Sequence, residues 1–341
     1  MNIKDGWTFD DLILTPKYSE VKSRALVDLS VDIKDFKFSH PIIPANMKTI
    51  TGMEMARAVY KSGGLALLHR FMPIEEQLEI AKLFAIESIP TYFNHIGFSI
   101  GVKEEDKDNV SKFVDLGVKI LCLDIAHAHS LNAIKMIEYV KSHYPNILLI
   151  AGNVATYGGV FRLCEAGADV VKVNVGAGSL CTTRIETGSG VPQMTALDDA
   201  KNAITDFEYR AHKRVYLISD GGITTNGAYT KALCFADMVM SGFSFSGCTE
   251  TPGNMVNIDG RIYKEYVGSS THKTNRIEGV KAIVPIKSGF QEILKNILEA
   301  IQSGCSYQGV DNLNKLKEHP VFVKITNAGL IESQPHNVII R

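Results

Sequence analysis

The 341-residue sequence lacks several things, and each absence narrows what the protein can be. It has no excess of charge: 36 lysines and arginines against 37 aspartates and glutamates leave a net −1. That removes the electrostatic footprint needed for DNA, RNA or an anionic membrane, so a phosphorylated ligand would need a local site. Cysteine is scarce, with six residues and no C-x-x-C pair, and no histidine spacing suggests zinc. A disulfide framework is not expected in so long a chain, and the thiols read as reduced and intracellular. No apolar run approaches bilayer length, and the opening MNIKDGWTFDD has no apolar signal core. A cytoplasmic protein is therefore expected. No Pro/Gly/Ser-rich linker or low-complexity tract divides the chain, so one domain is expected over residues 1–341.

What is present is a repeat of short runs rich in Val, Ile and Leu. They begin near Pro41, Gly64, Phe98, Ile120, Ile147, Val170, Val215 and Met238. Their apolar residues are continuous rather than alternating, which predicts strands buried on both faces. Between them, Ile74–Ser88 and Ser130–His143 carry apolar residues three and four apart, the spacing of amphipathic helices. Strand–helix alternation implies a parallel sheet, and eight repeats imply an α/β fold of the closed (β/α)8 barrel type. An open doubly wound sheet is the alternative; no G-x-G-x-x-G follows the first strand, which weighs against it. Most of the runs end in a polar residue or glycine, among them Asn46, Arg70, Asp124, Asn153, Asn174, Asp220 and Gly242. Barrel enzymes carry their active site on the face where strands end. The polar stretch 254–288, after the eighth run, reads as an active-site excursion, a hairpin plus a mobile flap. A helix, Phe290–Gln302, follows it, and the tail from Gln308 reads as a small helix and a strand.

Three segments carry chemistry. Val175–Gln193 (VGAGSLCTTRIETGSGVPQ) sets Cys181 among Ser179, Thr182 and Thr183, with glycines at 176, 178, 188 and 190. A thiol is a useful nucleophile only as the thiolate, and exposed amides of a glycine-rich turn can favour that charge. Buried cysteines are more often inert, which is the reading for Cys122, Cys164, Cys234, Cys248 and Cys305. The turns SDGGI (Ser219–Ile223) and MSGFSFSG (Met240–Gly247) follow the seventh and eighth runs, where barrels bind phosphate. The carboxylate of Asp220 suits ribose hydroxyls rather than phosphate. His127 and His129, two apart after Asp124, lack a third zinc ligand and read as loop residues near the site mouth. Asn153 is placed to hydrogen-bond a carboxamide or base edge.

At these residues the sequence resembles the IMP dehydrogenase/GMP reductase family over nearly its whole length. The likeness covers TFDDLILTP at 8–16, PANM at 44–47, DIAHAHS at 124–130, AGNVAT at 151–156, GAGSLCTTR at 176–184, SDGGI and the TPG at 251–253. The loop around Cys181 is the most specific of these. The resemblance implies a barrel homotetramer in which C2 of a purine nucleotide bonds to Cys181. It implies phosphate held by Ser179, Gly222, Ser241 and Gly242, ribose held by Asp220, and further substrate contacts from Gly221, Gly268 and Ser269. It suggests a potassium ion on the carbonyls of Gly176, Gly178 and Cys181, and NADPH beside Asp124, Ala126, His127 and Asn153.

Within the family, IMP dehydrogenases usually insert a pair of CBS domains after the second barrel unit; here only about twenty residues separate Gln77 from Gly97. Dehydrogenases also bring an Arg-Tyr pair to activate water, and no such dipeptide lies between Gly253 and Gly289. The compact KEYVGSSTHKTNRIEG at 264–279 and the PANM motif look like the reductase, whose Thr–Glu pair matches Thr183 and Glu278. The expected activity is thus NADPH-dependent deamination of GMP to IMP and ammonia. The alternative is an IMP dehydrogenase without CBS domains that uses NAD. TFDDLILTP and AGLIESQPHNV at 328–338 look more like that branch, and GAG at 176–178 departs from the GPG of both.

Overall fold

A computed structural model describes residues 3–87, 89, 91–268, 280–335 and 338. Its centre is an eight-stranded parallel sheet. The strands are β1 (Ile42–Pro44), β2 (Ala66–Leu68), β3 (Ile96–Ile100), β4 (Ile120–Asp124), β5 (Leu148–Val154), β6 (Val170–Val173), β7 (Tyr216–Asp220) and β8 (Met238–Ser241). They run in spatial order β1-β8-β7-β6-β5-β4-β3-β2. The sheet therefore curls until its first two strands meet at a seam, a (β/α)8 barrel. All eight coincide with the runs picked out by continuous apolar sequence, although β3 begins two residues before its run, at Ile96, and β5 ends at Val154, one residue past its run. Burial on both faces explains the pattern: β3 and β6 are buried at every position.

The helices that wrap the barrel are α1 (Met53–Lys61), α2 (Ile74–Ile86), α3 (Glu104–Asp115), α4 (Leu131–His143), α5 (Tyr157–Ala166), α6 (Gln193–Ala211), α7 (Asn226–Leu233) and α8 (Phe290–Tyr307). Local chemistry sets their ends. Ser130 and Thr156 cap α4 and α5 with side-chain oxygens that accept the amides of Ala133 and Gly159. Gly167, at φ +108°, ends α5 in the left-handed region. Helix α8 runs past Gln302 because Ser303 and Gly304 do not stop it; a Cβ on Gly304 would lie 2.5 Å from the Thr230 hydroxyl, so the glycine is a packing residue against α7. None of the described helices is long and apolar enough to cross a membrane.

After β8 the chain forms an antiparallel three-stranded sheet of β9 (Met255–Ile258), β10 (Arg261–Val267) and β11 (Lys281–Pro285). Asp259 and Gly260, both at positive φ, make the two-residue turn that joins the first pair. The buried Lys264 ammonium fixes this sheet to the barrel by donating to the carbonyls of Cys248 (2.8 Å), Thr249 (3.0 Å) and Thr251 (2.7 Å). The excursion thus holds the expected hairpin and a third strand, and the expected flap falls on residues 269–279, which lie outside the described residues. The tail holds more than one helix and a strand: short helices Leu313–Leu316 and Asn327–Glu332 flank a strand, Phe322–Lys324. That strand pairs antiparallel with Leu12–Leu14 near the other end of the chain.

Candidate active site

A cavity of about 400 Å³ opens where the barrel strands end. Its size suits a small molecule or nucleotide. The loop between β6 and α6 forms one wall. It begins at Gly176, φ +87°, where a Cβ would strike the Arg184 side chain at 2.6 Å. Val175 bridges to Val191, which closes the loop on itself. Within it the Cys181 amide donates to the Gly178 carbonyl at 3.0 Å, and the half-buried Cys181 thiol donates to the Thr183 hydroxyl at 3.2 Å. The other five cysteines are fully buried. Burial pushes the thiols of Cys164, Cys234, Cys248 and Cys305 up to about 12 and that of Cys122 higher still. Of the six cysteines, Cys181 alone lines the cavity.

The turns after β7 and β8 form the opposite side. Gly221 and Gly222 sit at φ +87° and +75°, a backbone that side chains rarely adopt. At Gly242 a Cβ would fall 2.9 Å from the Tyr266 hydroxyl and 3.0 Å from the Met47 sulfur. Only a glycine lets backbone and phenol approach this closely. Tyr266, carried in by β10, has its hydroxyl 3.0 Å from that of Ser179. Burial raises the phenol's pKa, so it stays a neutral donor. Ser241 and Gly268 also line this side. Glycine turns with hydroxyls directed at one small region are the chemistry of a phosphate cradle.

At the floor, the ends of β4 and β7 bring two carboxylates to one ammonium. Lys172 on β6 lies 3.0 Å from Asp124 and 2.6 Å from Asp220. Burial opposes its charge, but the two carboxylates outweigh that and raise its pKa above the ordinary lysine value. Asn153 donates to the same Asp220 oxygen at 2.9 Å. Its own side-chain carbonyl is buried without a partner among the described residues, an acceptor available to an amide N–H. Asn174 ties the loop to β7: its amide donates to the Asp220 carbonyl while its oxygen accepts the Ala177 amide.

Most of the residues anticipated from sequence meet in this cavity: Cys181, Thr183, Ser179, Asp220, Gly221, Gly222, Ser241, Gly242, Gly268, Asp124, Ala126, Asn153, Gly176 and Gly178 all line it. His127 does not; it is exposed, its ring 6.3 Å from that of His129. Ser269 and Glu278 lie outside the described residues. Sequence reasoning missed two members, Lys172 and Tyr266. The signal for the first was a lysine inside an otherwise apolar strand, and for the second an aromatic in a polar hairpin.

A barrel with glycine turns after its last two strands and a half-buried thiol on the wall across from them has the layout of nucleotide-handling barrel enzymes. The chain belongs to the IMP dehydrogenase/GMP reductase family, whose model, described as the IMP dehydrogenase / GMP reductase domain, matches residues 6–336. Members of the family are oxidoreductases acting on purine nucleotides with nicotinamide dinucleotides. Relatives fall on both sides of the family's name. A GMP reductase of Streptococcus agalactiae is 34% identical over 327 positions, covering 94% of this chain and 95% of its own. A GMP reductase of Staphylococcus carnosus is 35% identical and covers 91% and 94%. The inosine-5'-monophosphate dehydrogenase of Nitrosopumilus maritimus is 30% identical and covers both chains fully. That last alignment runs over 481 positions against the 341 residues here, so the dehydrogenase carries a long segment this chain does not have.

Proposed function

We propose that this protein is a GMP reductase, which converts GMP to IMP and ammonia. The observation that carries the reading is the Cys181–Thr183 pair at 3.2 Å in the cavity wall, in a chain with no Arg-Tyr dipeptide between Gly253 and Gly289 to activate water. A nucleophile and a proton-handling hydroxyl without a water activator suit a reaction that releases an amine and does not hydrolyse its intermediate. The compact alignment with the reductases supports the same branch.

In this reading the phosphate rests on the Gly222 and Gly242 turns with Ser179 and Tyr266, and Asp220 accepts from the ribose. The Cys181 sulfur, as thiolate, forms a bond to C2 of the purine. Thr183 and Glu278 pass a proton to the amine on that carbon, and the carbon–nitrogen bond breaks to release ammonia. Bound beside Asn153 and Asp124, NADPH would supply the hydride for C2. The carbon–sulfur bond breaks, IMP leaves and the thiolate is restored. The buried carbonyl of Asn153 fits the carboxamide of the dinucleotide, with Asp124 and Ala126 beside it. The carbonyls of Gly176, Gly178 and Cys181 are neutral donors suited to a monovalent cation such as potassium; among the described residues no cluster of acidic, histidine or cysteine side chains would draw a divalent one. The active form in this reading is a homotetramer.

One assay tests the branch. GMP with NADPH should consume the reduced-nicotinamide absorbance, and IMP with NAD should not generate it. The reverse outcome would establish the second reading, a dehydrogenase without the inserted segment, which full-length coverage by the Nitrosopumilus protein favours.

A further inference from the structure

Lys172 belongs to none of the roles assigned above, yet it sits beneath all of them. Its side chain is 2% exposed, at the interior end of β6, and it lines the cavity. Residue 152 on β5 is its paired neighbour, and a Cβ there would lie 2.7 Å from the Lys172 Cβ and 2.6 Å from its carbonyl oxygen. The barrel thus gives up a side chain at Gly152 so that β5 and β6 can approach closely beside Lys172. The ammonium joins a carboxylate at the end of β4 to one at the end of β7, and these two strands do not pair with each other. Two carboxylates near one buried cation leave the group one negative charge in excess, which a volume-filling lysine would not require. The ammonium donates a hydrogen bond to Asp220 at 2.6 Å and is ion-paired with Asp124 at 3.0 Å.

We propose that Lys172 is a positioning residue that joins the two halves of the site. It holds Asp220, on the nucleotide's side, and Asp124, on the dinucleotide's side, in one frame, so that a change at either carboxylate is felt at the other. This rests on the functional reading above. A buried ion pair is strongly disturbed when one partner is removed, because the charge left behind has no compensation.

The test is GMP affinity by titration calorimetry on the intact protein, with no dinucleotide present. Lys172→Met should weaken GMP binding at least tenfold. Adding Asp124→Asn to that variant should recover most of the loss, since it removes one of the two facing carboxylates; restored packing cannot explain such a recovery. GMP affinity within twofold of wild type in Lys172→Met would overturn the proposal, as would a double variant no better than the single one. If Lys172→Met does not fold, Asp124→Asn alone decides: a change in GMP affinity of threefold or more is expected, and none overturns the proposal. If wild-type protein binds neither GMP nor IMP, the functional reading itself fails, which is distinct from a wild type that binds and variants that match it.

Discussion

The sharpest consequence of the burial pattern is that one cysteine in six should react. Alkylation proceeds through the thiolate, so its rate follows the ionised fraction and access to the sulfur. With their thiols pushed up to about 12, Cys164, Cys234, Cys248 and Cys305 are each ionised in about one molecule in ten thousand at pH 8. Cys122 is ionised in fewer still. None of the five is more than 1% exposed, so steric exclusion slows them further. Cys181 is half-buried and opens on the cavity. Iodoacetamide at pH 8 should therefore add a single label, placed on Cys181 by peptide mass mapping, and saturating GMP should slow that labelling at least about tenfold, because the nucleotide covers the sulfur. Labelling of any of the other five within tenfold of the Cys181 rate, in protein that keeps its circular dichroism, would refute the burial argument. Labelling of Cys181 at the same rate with and without GMP would refute its place beside the nucleotide.

Other predictions follow from the same geometry. Cys181→Ala should abolish turnover and leave GMP affinity within about threefold of wild type by calorimetry, since the thiol serves bond formation rather than binding. Glu278→Gln should slow ammonia release, read in a single-turnover experiment, more than it slows reduction of a preformed intermediate; equal losses would assign it to positioning. Gly242→Ala puts a methyl 2.9 Å from the Tyr266 hydroxyl and 3.0 Å from the Met47 sulfur. It should weaken GMP binding about tenfold or more and cost about 1–3 kcal/mol in urea unfolding, as overpacking does. His40 and His69 are 1% and 4% exposed, and burial lowers both to about 4; the nearby His95 adds to this at His40 and Lys48 at His69. The unfolded chain takes up these protons near 6.5 and the folded one only near 4, so stability is intact above 6.5 and falls as the pH drops from 6.5 toward 4. The loss is at most about 3 kcal/mol for each histidine, and His40→Asn should flatten the urea-unfolding profile between pH 7 and 5.

The barrel was legible because its strands are buried on both faces and so write themselves as unbroken apolar runs. The cysteine loop and the two glycine turns were legible because positive φ and close approach demand glycine wherever the chain meets a ligand. What stayed hidden depends on partners far along the chain. Lys172 went unremarked in VVKVNVG because its acids come from residues 124 and 220. Tyr266 read as part of a polar excursion, although its period-two place on β10 points it at Ser179. The pairing of Leu12–Leu14 with Phe322–Lys324 joins segments some three hundred residues apart, and nothing local in either announces the other.

The two ends of β6 show how such a barrel separates stability from chemistry. Just before the strand, Asp169 is buried, accepts the Leu149 amide at 3.0 Å and meets Lys34 and Lys141 at 2.8 Å each. There the acid is inside and one of its two cations, Lys34, 39% exposed, reaches outward to solvent, while Lys141 is 14% exposed. Near the strand's far end the order is inverted: Lys172 is inside, and Asp124 and Asp220, each 16% exposed, face the cavity. Acceptors at the floor and donors at the β7 and β8 turns divide the cavity by polarity. On the proposed reading, a dianionic phosphate would be repelled by the floor and drawn to the glycine turns, while sugar hydroxyls, which can donate, would be drawn to the carboxylates. On the function proposed above, a nucleotide with its phosphate on the turns and its ribose over Asp220 would lay its base along the wall that carries Cys181.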